Sequence, residues 1–404
     1  MGPDDSAVSG NPDPGSHWPI PRTCPLSLPD EYADLRRSAP LVPAKVWGGT
    51  RTWLVTRHEQ ARALLADPRV SVDPARLPRL SEGEGDGSGG GFLSMLMMDP
   101  PGHTAIRRMF ISEFSVRRIR EMRAGIERTV MELLDRLVTL TPPVDLVREL
   151  ALPMSTQVIC QLLGVPYEDR EFFHERSEKA SKPHDEGALE ALLELVGYLD
   201  GLIAAKTSAP DDGLLGTVIR QRLHTGELSH RQLVDNSVLL LAAGHETSAN
   251  MVGLGALTLL RHPDALATLR ARPELMPDAV DELLRLHTIA DGLRRVATED
   301  IEVDGRLVRA GDGLIMLLAS SNHDDSVFAD PAAFDLHRRS NPHVAFGFGP
   351  HQCLGQHLAR LELEVTLGSL IERLPGLRLA GEPGDLSVKT TSVIFGLDEL
   401  LVTW

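Results

Sequence analysis

Apolar residues recur every third or fourth position over long stretches of this chain, the spacing of one face of an α-helix. Between residues 116 and 139, Ile119, Met122, Ile126, Val130, Leu133 and Leu137 form one such stripe. Residues 144–162 and 187–206 carry similar stripes. The longest predicted helix runs from Ser229 to Arg261. Ser229 and Gln232 fit a capping box at its start, and Pro263 stops it. At ~1.5 Å per residue it would cross a whole domain. Further helices are predicted over 274–287 and 354–374. Period-two alternation is rarer. Val46 to Val55 alternates around Gly48-Gly49, Asp300 to Val308 reads as a hairpin turning at Asp304-Gly305, and Leu386 to Val402 looks extended. The pattern predicts a mainly α fold with small β-sheets and a long central helix.

Where the pattern fails is also informative. Glu82 to Gly91 reads EGEGDGSGGG, which buries too little surface to hold one shape. It is expected to be a mobile loop. Its place before the apolar stretch Phe92–Met98 makes it a candidate gate over a cavity. No repeat or inter-domain linker is visible. Residues 1–20 are expected to be a flexible segment and 21–404 a single folded domain, although the length alone admits two or three cores. The first thirty residues have no apolar core and are not a signal peptide. No window approaches the ~18 apolar residues of a spanning helix, so no membrane anchor is expected.

Composition narrows the function. With 42% hydrophobic residues the chain can build a core and line an internal cavity. Aromatics make up 4%, too few for a base- or sugar-stacking surface, and a net charge of −16 argues against nucleic acid. The cysteines are Cys24, Cys160 and Cys353, a set too sparse for a disulfide framework. A reducing, cytoplasmic setting is expected.

The densest chemistry lies in FGFGPHQCLG, Phe346 to Gly355. Glycines such as Gly347 and Gly355 let a flat ligand approach the backbone. Cys353 stands where a helix begins, and there the dipole and free N–H groups stabilise a thiolate, a natural axial ligand for haem iron. Two other readings are open at this point. His351, Cys353 and His357 are a partial zinc set without a fourth ligand. Cys353 with His351 also resembles a nucleophile–base pair of a hydrolase. In the long helix, Ala243-Gly244-His245-Glu246-Thr247 sets a glycine and a polar Glu–Thr pair amid apolar residues. The threonine hydroxyl can take a backbone carbonyl and distort the ladder, which makes the pair a candidate for proton delivery. Glu282 and Arg285 form an i,i+3 pair, weak evidence alone. His103 and Arg107, an i,i+4 pair after Asp99-Pro100-Pro101-Gly102, put two basic groups on one helix face.

Together these segments resemble the cytochromes P450, in which Phe, Gly, Gly, a basic residue, Cys and Gly recur in this order. The resemblance covers roughly residues 20–404 and is closest to actinobacterial members, through LLLAAGHETSANM and HVAFGFGPHQCLGQHLAR. It implies b-type haem with Cys353 as the iron ligand and Phe346 beside the sulfur. His103, Arg107, Arg295 and His351 would meet the propionates, with Arg294 the obvious register error. Thr247 and Glu246, beside Ala243 and Gly244, would serve oxygen activation and proton relay. Glu282, Arg285 and Arg338 (of Phe334-Asp335-Leu336-His337-Arg338) would form a buried structural set holding the cysteine loop. Substrate contacts would come from the 82–96 loop, Leu240, Ala243, Ile289, Ala290, Val393 and Ile394, mostly small or apolar, so a hydrophobic small molecule fits.

The implied activity is insertion of one oxygen atom of O2 into a secondary metabolite or xenobiotic. Hydroxylation is expected, with epoxidation or oxidative ring closure as alternatives and a non-catalytic haem protein as the remote one. The chain shows no flavin or nicotinamide fingerprint and no iron–sulfur cysteine set. Electrons would come from an external ferredoxin and its reductase, steered by Arg107, Arg108, Arg117, Arg118, Arg120 and Arg123. A monomer is expected.

Overall fold

The computed structural model describes residues 16–46, 49–79, 94–180, 187–381, 386–389 and 394–404. Its axis is the helix His230–Arg261, 32 residues long. The expected capping box is present: Ser229 Oγ accepts from Gln232 N at 3.2 Å, and Gln232 Oε1 accepts from Ser229 N at 3.0 Å. Residues 233–238 and 248–259 are buried throughout, as a helix passing through a core must be. Leu152–Leu163 and Gln356–Arg373 pack against it, and Val116–Leu137, Ala188–Ser208 and Met276–His287 complete the bundle. One apolar core joins these helices, and two smaller clusters flank the sheet.

The sheet has six strands in the order Ser16–His17, Leu41–Lys45, Thr52–Val55, Gly313–Met316, Leu293–Ala297 and Val70–Ser71. The pair expected around Gly48-Gly49 is there, but its first strand lies at 41–45, with Leu41 opposite Val55. Trp47 and Gly48 lie outside the described residues. The hairpin Ile301–Val303/Arg306–Val308 turns as expected, with Asp304 and Gly305 at φ 48° and 74°.

Two expectations shift. The stripe at 144–162 opens as a strand, Val144–Asp145, pairing with Leu401–Thr403, then passes through a wide turn at Val147–Ala151 before the helix begins at Leu152. A short apolar run looks alike in either state, and here pairing with the end of the chain decides it. Part of the segment expected to be flexible, residues 1–20, is instead paired, while residues 1–15 lie outside the described residues. Ser16–His17 pair with Ala44–Lys45, and Trp18 packs so tightly on Gly292 that a Cβ there would lie 2.0 Å from Cζ2. The loop at 82–91 lies outside the described residues.

Candidate haem site

The cysteine loop is built by backbone constraints. Gly347 and Gly349 take φ of 69° and 73°, and a Cβ on Gly349 would stand 2.5 Å from the Leu65 carbonyl oxygen. Only glycine lets the loop lie that close. Cys353 N donates to Phe346 O at 2.9 Å and closes the turn. The helix starts later than expected, at Gln356 with Gly355 as its cap, so Cys353 precedes the first turn. Cys353 keeps accessible surface, and burial is the largest influence on its titration. Burial raises the thiol, while the Gly355 N–H and the charges of Arg107 and Arg360 pull it down. Arg360 also lies over the Phe346 ring, 4.7 Å from its centre.

Next to this loop, basic groups gather with little to neutralise them. His103, on the helix Gly102–Phe110, is buried and stacks on His351 with ring centres 4.0 Å apart. His103 Nδ1 and His351 Nε2 are buried without a hydrogen-bond partner. Arg107 Nη2 donates to Gln352 O at 2.6 Å. Arg295 acts on the same histidine, whereas Arg294 reaches Pro78 O at 3.2 Å. Burial, then His103 and Arg295, push His351 down to about 3. Burial also lowers His103 and Arg107, and takes Arg295 to about 10. Asp99, the acid facing them, already accepts from Ser71 Oγ and Val72 N. Such a set is satisfied by an anion with more than one charge.

The central helix carries the second group of candidates. In its buried middle, Ala242, Ala243, Glu246 and Thr247 keep accessible surface, a stripe at helical spacing. Thr247 Oγ1 donates to Ala243 O at 2.6 Å, as the sequence led us to expect, yet the helix runs unbroken. Gly244 serves packing: a Cβ there would meet Ile159 Cδ1 at 2.9 Å. Glu246 Oε1 accepts from Lys389 Nζ at 2.6 Å. Ala290 and Ile394 pair as an isolated bridge and keep some accessible surface, whereas Leu240 and Ile289 are nearly buried. Val393 lies outside the described residues.

Glu282 and Arg285 are fully buried and bidentate, at 2.7 and 2.8 Å. Arg338 Nε donates to Glu282 Oε2 at 2.9 Å. Arg285 also holds the carbonyls of Asn322, Pro331 and Ala333, fastening the stretch that leads to the cysteine loop.

Sequence reasoning missed two groups. Lys389 gave no signal, because its partner is 143 residues away. Glu362 is buried, hydrogen-bonded to Ser248 and pushed up to about 8, and the burial is the larger effect. Its place on the apolar stripe of Leu358, Leu361 and Val365 was the available clue.

The comparisons identify the family. The Cytochrome P450 family model matches residues 271–375. Mycinamicin VIII C21 methyl hydroxylase of Micromonospora griseorubida is 65% identical over 387 residues, 96% of this chain and 99% of that protein. The chain belongs to the cytochrome P450 family. Another relative of this P450 is 20-oxo-5-O-mycaminosyltylactone 23-monooxygenase of Streptomyces fradiae, 54% identical over 96% of this chain and 92% of its own length. The crystal structure of the Micromonospora hydroxylase bound to mycinamicin VIII superposes with a TM-score of 0.91 at 64% identity, covering 96% of this chain and 100% of that one. That of cytochrome P450 MoxA from Nonomuraea recticatena gives 0.93 at 43% identity, over 96% and 98%.

This P450 is a monooxygenase, and the family's cofactor is haem iron. The residues present fit such a group. The unpartnered histidine nitrogens and half-buried arginines match a ligand with two carboxylates, the loop glycines admit a flat ring, and the Cys353 thiol keeps accessible surface near Arg107. The bound group supplies oxygen activation. Among the described residues no three of His, Cys, Asp and Glu converge as a metal group, and family membership sets the zinc and hydrolase readings aside.

Proposed function

We propose that this P450 hydroxylates a macrolide of the mycinamicin or tylactone type. The observation that carries this is near full-length identity of 65% and 54% to two enzymes named for such substrates. In this reading the Cys353 thiolate holds the iron of b-type haem, with Phe346, Gly347 and Gly355 around the sulfur. His103, Arg107, Arg295 and His351 take the propionates. Glu246 and Thr247, beside Ala243 and Gly244, would hold and pass on protons for oxygen activation. Leu240, Ala243, Ile289, Ala290, Ile394 and Val393 bound the substrate. Glu282, Arg285 and Arg338 hold the framework.

The protein works as a cytoplasmic monomer served by an external ferredoxin and reductase. Among the described residues no helix is long and apolar enough to cross a membrane. Of the basic residues proposed to steer the ferredoxin, Arg118 and Arg123 are engaged with Glu113, Glu121, Glu127 and Glu364. Arg108, Arg117 and Arg120 are exposed and carry the proposal.

Two measurements test this. The ferrous carbon-monoxide difference spectrum should show a red-shifted thiolate-type band, lost in Cys353→Ala. Titration with mycinamicin VIII or 20-oxo-5-O-mycaminosyltylactone should shift the haem spin state, and turnover should give a product one oxygen heavier. No shift and no product with either compound would overturn the substrate assignment and leave the family standing.

A further inference from the structure

Three side chains of the N-terminal segment converge on one stretch of backbone, 287–292. Trp18 packs on Gly292. Tyr32 Oη donates to Asp291 Oδ2 at 2.8 Å, and Asp291 Oδ1 accepts from Ala319 N at 3.0 Å. Arg22 reaches deepest. Its Nη1 donates to Thr288 O at 3.2 Å, its Nη2 to His287 O at 3.0 Å, and its guanidinium carbon lies 3.8 Å from the centre of the Phe395 ring. Those carbonyls end the helix Met276–His287, where backbone acceptors lack helical partners and the dipole attracts a cation. Taking a guanidinium out of water is costly, and burial lowers its affinity for the proton. Two charge-assisted hydrogen bonds and the ring face offset that cost.

Phe395 leads to the second half of the argument. Its N–H donates to Ile289 O at 2.9 Å, and Ala290 pairs with Ile394. One guanidinium therefore binds both sides of a small two-stranded patch, through the carbonyls of 287–288 and the ring of 395. We propose that Arg22 is a specificity-determining positioning residue. Without touching the ligand, it fixes the patch carrying Ile289, Ala290 and Ile394, and so sets how closely an apolar group is held there. This rests on the reading above that these side chains bound the substrate cavity.

The test uses the haem-loaded full chain with Arg22→Met, which keeps the stem, and Arg22→Lys, which keeps the charge. Backbone hydrogen exchange in the ligand-free protein should speed up in 287–290 and 394–397 for Arg22→Met and stay unchanged in 356–373. Imidazole and 4-phenylimidazole then probe the cavity, since both reach the iron through nitrogen but only the second carries an apolar ring. In Arg22→Met the Kd for 4-phenylimidazole should rise about tenfold while that for imidazole stays within about twofold. Arg22→Lys should fall between, and Ile289→Ala should reproduce the split.

Unchanged exchange overturns the proposal. So does faster exchange without a split when Ile289→Ala does show one, because Arg22 is then only a helix cap. So does parallel loss of both ligands and of bound haem. If Ile289→Ala itself shows no split, the cavity reading has failed, and the proposal falls with it for that separate reason.

Discussion

Single residues in this P450 behave according to what surrounds them. Glu246 and Glu362 are both acids on helices, yet one is held by Lys389 and the other is buried with a neutral serine. Replacing Glu246 with Gln removes the proposed proton donor while keeping its shape. Turnover should fall about a hundredfold, with haem content and substrate affinity retained; unchanged turnover would remove Glu246 from the relay. Glu362 leads to a stability prediction. Its pKa rises from 4.5 to about 8 on folding, so the folded state holds the proton more tightly. The stability this gives is present below about 4.5 and is lost as pH rises through about 8. Glu362→Gln should therefore melt above the parent at pH 8.5 and lose that advantage at pH 5. Melting curves at the two values decide it, and parallel curves would rule the titration out.

At the scale of elements, the structure depends on groups that join distant segments. The Glu282–Arg285–Arg338 set links the helix Met276–His287 to the stretch before the cysteine loop. Removing Arg285 breaks the bidentate pair with Glu282, which then keeps only Arg338 as a cationic partner, and strips the buried carbonyls of Asn322, Pro331 and Ala333 of their donor, which costs about 3–5 kcal/mol. Arg285→Ala should lower stability to urea by that order and lose haem, even though no member of the set touches Cys353. Wild-type urea stability in this variant would show that the set is dispensable. The central helix makes the complementary point. Its capping box was legible because Ser229 and Gln232 are three residues apart, whereas its contact with Ile159 through Gly244 was not, and a distortion was expected where close packing is found.

Across the whole molecule, charge is unevenly used. The chain carries −16 overall, yet Arg108, Arg117 and Arg120 stand exposed near the helix Val116–Leu137, which packs on the helix following Cys353. Reversing Arg117 to Glu should slow reduction by an acidic ferredoxin several-fold at low salt and flatten its salt dependence. Stopped-flow reduction across a salt series reads both, and an unaltered slope would exclude this face. How much of the molecule could be read beforehand follows from range. Helical stripes, the capping box, the Asp304-Gly305 turn and the FGFGPHQCLG segment rest on neighbours within a few residues, so the sequence by itself determined the mainly α class, the long helix and the cysteine loop. Only the tertiary structure decided that Val144–Asp145 is a strand, that Ser16–His17 pair with Ala44–Lys45, that Lys389 meets Glu246, that Glu362 is buried and that Arg22 reaches residues 287–288. Each of these depends on a partner far along the chain or on burial from several sides, and no local pattern of residues encodes which distant partner will be met.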